Sequence, residues 1–139
     1  MEEIALKYND DQRREYLIMT DEIGHTWVQI FEGNTEFYSA AYWDLLTSMW
    51  RNNKSVRKTD ALGFMKAIKS AHTAGKYIES ALSYGFLIEM DNPDDARSKL
   101  LVLSDDMRLK LDSFFDNAVS EVRKANREID IKGPSPEDL

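Results

Sequence analysis

Phe86-Leu87-Ile88-Glu89-Met90, then Asp91-Asn92-Pro93-Asp94-Asp95, then Ser98-Lys99-Leu100-Leu101-Val102-Leu103 form the stretch on which the fold turns. The two apolar runs are short enough to be strands. The segment between them is turn chemistry, because Asn and Asp side chains bond their own backbone and Pro presets φ. Together they predict a β-hairpin. Directly after it, Ser104-Asp105-Asp106 supplies a helix cap with two acids in the first turn, where they complement the helix dipole. In the long helix this opens, Met107, Leu111, Phe115, Ala118, Val122, Ala125 and Ile129 recur every three or four residues, close to a heptad seam. Left uncovered, such a seam would expose a long apolar stripe, so the expectation is that it dimerises with a second copy.

Upstream, Gly85 ends a helix from about Ala71 to Tyr84, which Ser70 caps and whose Tyr77, Ile78, Ala81 and Leu82 point inward. Before that, Thr59-Asp60 is expected to cap a short helix from Ala61 to Ile68. A first helix spans about Asp10 to Glu32, with Tyr16, Met19, Ile23, Trp27 and Ile30 on one face, and Gly33-Asn34 ends it. A second opens at Thr35-Glu36, carries Tyr38, Tyr42, Leu45, Leu46 and Met49, and breaks at Asn52-Asn53-Lys54. Short helix, turn, helix and hairpin follow one another in the order of a winged helix-turn-helix. The predicted class is mainly α: a winged helix-turn-helix with a small β-hairpin wing and long terminal dimerisation helices.

With 139 residues, the chain is read as one domain that buries a core, and its 15 aromatic residues exclude a disordered chain. No apolar run approaches the ~20 residues of a membrane-spanning helix, and the acidic start Met1-Glu2-Glu3 does not read as a secretory signal. The expected location is the cytoplasm, at the nucleoid. The absence of Cys removes disulfides, thiolate nucleophiles and Cys-based metal sites. A net charge of -7 argues at first against nucleic acid, but the charge is unevenly placed. Residues 51–86 hold seven bases against two acids, whereas residues 1–50 hold three against ten. A basic centre between acidic ends suits a polyanion-facing module carried by a part with another task.

Asp95-Ala96-Arg97-Ser98-Lys99-Leu100-Leu101-Val102-Leu103-Ser104 fits the pattern D-x-R-x-x-x-L-x-L-[ST], and here the chain resembles the MarR-type transcriptional regulators. Gly85-Phe86-Leu87-Ile88 resembles that family's step into its wing, and Ser70 falls where its recognition helix is capped. The resemblance implies one domain over residues 1–132: a DNA-binding part at 51–104, helices for dimerisation at 1–50 and 105–132, and a flexible tail at 133–139. It further implies a homodimer on a pseudo-palindromic double-stranded operator, under the control of a small aromatic ligand. For such an effector, Trp27, Phe31, Phe37, Tyr38, Tyr42, Trp43 and Trp50 are the candidate lining, with core packing or a dimer interface as the alternative.

On the helix after Ser70, His72, Thr73, Lys76 and Glu79 lie opposite the apolar face and are candidates for reading bases in the major groove. Lys54, Arg57, Lys58, Lys66, Lys69, Ser70, Arg97 and Lys99 are candidates for the DNA backbone or minor groove. Arg97 resembles the family's wing arginine, with Asp95 expected to hold its guanidinium in a bidentate pair. His25 and His72 are isolated from other ligating groups, so no metal or cofactor is expected, and no catalytic constellation points to an enzyme. The competing reading is a winged-helix module for protein–protein contact, which the acidic wing tip permits.

Overall fold

The computed structural model describes residues 3–136. Helix α1 (Asp10–Ile30) opens with a reciprocal cap: Asn9 Oδ1 accepts from the Gln12 backbone N–H at 2.8 Å, and Gln12 Oε1 accepts from the Asn9 N–H at 3.0 Å. A 3₁₀ turn (Thr35–Phe37) then buries Phe37, and Ser39 caps α2 (Ala40–Asn52). The expected continuous helix from Thr35 is thus broken at Tyr38, because Ser39 Oγ offers the Tyr42 N–H a bond that starts a new helix. Asn53, at φ 52°, closes α2 in the left-handed conformation that Asn tolerates.

Strand β1 (Val56–Arg57) precedes α3 (Lys58–Leu62), which is shorter than the expected Ala61–Ile68 and starts earlier. Thr59-Asp60 is not its cap, for Asp60 lies inside the helix and bonds back to Arg57. Beyond Leu62 the chain turns, so that Met65 is buried while Phe64 and Ile68 pack against the core. Helix α4 (Ala71–Ser83) and strands β2 (Leu87–Asp91) and β3 (Lys99–Leu103) follow as expected to within a residue or two. Gly85, at φ +77°, lets the Phe86 N–H reach back to the Ala81 carbonyl at 2.9 Å, turning the chain from α4 into the wing. The sheet is antiparallel with order β1-β3-β2, so β3 is central and the hairpin gains a third strand.

Helix α5 (Asp105–Lys132) starts where Ser104 Oγ accepts from the Met107 N–H at 3.1 Å, and it lies antiparallel along α1. Thr26 meets Asn117 near one end of the pair, and Asn9 Nδ2 donates to the Lys132 carbonyl at the other. The core gathers Trp27, Phe31, Phe37, Leu45, Leu46, Ile78, Leu101 and Phe114 between this pair and the winged part.

The seam expected to dimerise divides here. Met107 and Leu111 are fully buried in the chain's own core, Phe115 and Ala118 pack against it, and Ala125 is buried. Of the seam positions, Val122 faces outward at 49% exposure, and the half-buried Ile129 lines a surface hollow with Tyr8 and Tyr16. The apolar period is real, but α1 of the same chain and the winged part cover its first turns. The tail expected from residue 133 is tied down at its start. Gln12 Nε2 donates to the Pro134 carbonyl at 3.3 Å, and a Cβ on Gly133 would lie 2.6 Å from Asn9 Nδ2. Residues 137–139 of that tail lie outside the described residues.

Candidate nucleic-acid interface

Helix α4 is shaped for one outward face. Ser70 Oγ accepts from the Thr73 N–H at 3.3 Å, and Ala74, Ile78 and Ala81 bury the inner side against the core. His72, Thr73, Lys76 and Glu79 are all exposed on the outer side, where the small Ala71 and Gly75 leave a shallow depression beside them. The structure therefore groups the four expected base readers.

It also removes one of them from the free groups. Lys58 Nζ bonds Glu79 at 2.7 Å and Glu89 at 2.9 Å, so one ammonium ties the start of α3 to α4 and to β2. These bonds, that to Glu79 first, raise the Lys58 pKa above its ordinary value. Lys58, expected at a phosphate, and Glu79, expected at a base, are instead committed to each other. The partners lie 21 and 31 residues away from Lys58, a separation at which no sequence period brings residues together.

Among the expected backbone contacts, Arg57 is forked onto Asp60 at 2.9 and 3.2 Å, and Lys99 is paired with Asp91 across the wing. Lys66 and Lys69, in the turn leading to α4, and Lys76 and Arg97 are exposed, with no ion-pair partner among the described residues. Lys54 stands apart from α4, beside the end of β3 and the start of α5, where Arg108 donates to Asn53 Oδ1 at 2.6 Å and stacks over Trp50 at 4.9 Å. Asp95 does not hold the Arg97 guanidinium. Its Oδ1 accepts from the Arg97 backbone N–H at 3.0 Å, while Asn92 bonds Asp94 and Ser98, so the tip is braced by its own side chains and the guanidinium is left free.

The aromatic set expected around an effector is also divided. Trp27, Tyr38 and Trp43, with Ile23, Gly24 and Phe114, line a cavity of about 270 Å³ between α1, α2 and α5. No charged side chain faces it. Phe31, Phe37 and Tyr42 are core residues, and Trp50 is turned away to donate to Asp112 at 2.7 Å. Among the described residues, no group of three or more His, Cys, Asp or Glu could hold a metal ion, and no helix is long and apolar enough to cross a membrane.

No protein-family model matches the chain, and no curated protein matches it. Solved structures do. RV1404 from Mycobacterium tuberculosis superposes with a TM-score of 0.64 at 12% identity, over 91% of this chain and 84% of that one. AbsC, a MarR family transcriptional regulator from Streptomyces coelicolor, gives 0.55 at 17% identity, over 91% and 78%. The fold is that of the MarR-type winged-helix regulators. Sco3205, a MarR family transcriptional regulator from Streptomyces coelicolor solved in complex with DNA, gives 0.52 at 18% identity, over 90% and 78%. In the MarR-type frame, α3 and α4 are the helical pair, the β2–β3 hairpin is the wing, and α1 with α5 forms the arm. The sequence reading passed over β1, whose two residues are too few to show a period, and the Lys58 bridge, which only the folded chain assembles.

Proposed function

We propose that the chain is a sequence-specific double-stranded-DNA-binding regulator of transcription, not an enzyme, acting as a homodimer in the cytoplasm at the nucleoid. The observation that carries this reading is the outer face of α4. Thr73, Lys76 and His72 stand exposed on a rigid capped helix, with free cations at Lys66 and Lys69 before it and Arg97 on the wing after it. A helix of about 13 residues presented this way fits the major groove, Thr73, Lys76 and His72 facing base edges while the lysines meet phosphates. Arg97 reaches the flanking backbone or minor groove. DNA binding by Sco3205, which shares the fold, supports the reading.

The second copy covers the distal arm, where Tyr8, Tyr16, Leu17, Val119, Val122 and Ile131 are exposed on α1, α5 and the segment before α1. Covering such side chains is what favours pairing, and a two-fold pairing would present two α4 helices to a pseudo-palindromic operator. Residues 51–104 are then the reading part and the terminal helices the assembly part. The uncharged cavity beside Trp27 and Trp43 would take a small aromatic effector.

A duplex shift assay over a salt series tests the proposal. Binding should weaken steeply with salt and be strongest on a palindromic site selected from random sequence. No binding at low salt would sink it and leave a protein–protein module, a reading that the uncovered acids Asp94 and Asp95 at the wing tip favour.

A further inference from the structure

A second cavity lies where the end of α1 and the segment after it meet the end of α4 and the start of the wing, and it shares no lining residue with the one beside Trp43. It has a volume of about 340 Å³, and its walls are rings: Phe31, Phe37, Tyr84 and Phe86, with centroids 4.9 to 5.3 Å apart along the chain of contacts from Tyr84 through Phe37 and Phe86 to Phe31. Tyr84 is held there by its hydroxyl, which donates to a Glu36 carboxylate oxygen at 3.1 Å. Glu32, exposed and without an ion-pair partner among the described residues, also lines the cavity.

Negative groups gather at this place. The C-terminal ends of α1 and α4 both meet here, Phe31 closing the first and Tyr84 the second, and neither helix has a basic residue in its last turn to offset the negative end of its dipole. Two carboxylates add to that potential. Lys110 is the cation on the lining, and its ammonium is turned to Asp106 at 3.2 Å. Aromatic rings beside carboxylates that no cation neutralises attract a cation whose charge is spread and weakly hydrated, since it gains from the ring quadrupoles without a large desolvation cost.

We infer that this cavity binds an organic cation of the quaternary-ammonium type, seated against Tyr84 and Phe86 with Glu32 and Glu36 as its counter-charges. The inference stands apart from DNA binding and from dimerisation, so its test uses neither. Phenyltrimethylammonium, benzyl alcohol and benzoate are titrated into the isotopically labelled full chain, and amide chemical shifts are followed. The cation should saturate at one per chain, moving signals of residues 31–37 and 83–86, and should bind at least about tenfold more tightly than the alcohol or the anion. The double variant Glu32→Gln with Glu36→Gln, at exposed positions, should keep its melting temperature and lose that preference, and Tyr84→Leu should weaken the cation alone. Equal binding of the three probes, a preference that survives the glutamine pair, or no saturation by the cation at about 10 mM would overturn it.

Discussion

At Lys58 a single ammonium serves two carboxylates on different elements, and the physical consequence can be measured directly. Lys58→Met should lower the unfolding free energy by about 1 kcal/mol, the scale of two partly exposed ion pairs. Its folded-state pKa is raised, so the bridge contributes fully below the unfolded value, near pH ~10.4, and is lost as pH climbs through the folded one. Urea titrations of wild type and variant should therefore differ at about pH 8, and the difference should shrink as pH rises above the unfolded value. A difference independent of pH would place the effect in packing of the aliphatic stem. If Arg97 meets the DNA backbone and α4 the bases, the exposed residues should separate by role. Arg97→Ala should weaken all duplexes by a similar factor and flatten the salt slope by about one unit. Thr73→Ala and Lys76→Ala should cost roughly 1–3 kcal/mol on the preferred site and much less on random DNA. Competition binding with both duplexes distinguishes these outcomes.

Helices α4 and α5 show how one element carries two tasks. The Ser70 hydroxyl caps α4, so Ser70→Ala should cost about 1 kcal/mol of stability in a thermal melt, whatever it does to DNA binding. In α5 the same apolar period serves different partners along its length. Leu111→Ala, at a fully buried position, should destabilise the fold by about 2–5 kcal/mol in denaturant. Val122→Glu, at an exposed position, should change the unfolding free energy of the monomer by no more than about 0.5 kcal/mol. It should nonetheless shift sedimentation from dimer to monomer and weaken operator binding with it. A folded Val122→Glu chain that still sediments as a dimer would move the interface elsewhere.

The whole molecule is an arm made of α1 packed along α5 and a winged part made of the middle of the chain. If two copies pair through the arms, the α4 helices should face successive major grooves about 34–36 Å apart, and inserting five base pairs between operator half-sites should abolish tight binding. The winged-helix order of elements was legible in the sequence, because it rests on quantities local in sequence. The caps at Ser70 and Ser104, the glycine stop at Gly85, the Asn-Pro-Asp-Asp turn and the split of charge between middle and ends each depend on a few adjacent residues. So does helical period, which placed Ile78 and Ala81 inward and His72, Thr73 and Lys76 outward. What period does not contain is the identity of the covering partner. Only the tertiary structure assigned Met107 and Leu111 to the chain's own core, gave the hairpin its third strand at Val56–Arg57, and left Arg97 free while Asp95 braced the turn. Only it joined Lys58 to Glu79 and Glu89 and closed four distant rings around one cavity. The sequence by itself determines which residues must be covered and which must be capped; which group does the covering, or shares the charge, depends on distances that exist once the helices have packed.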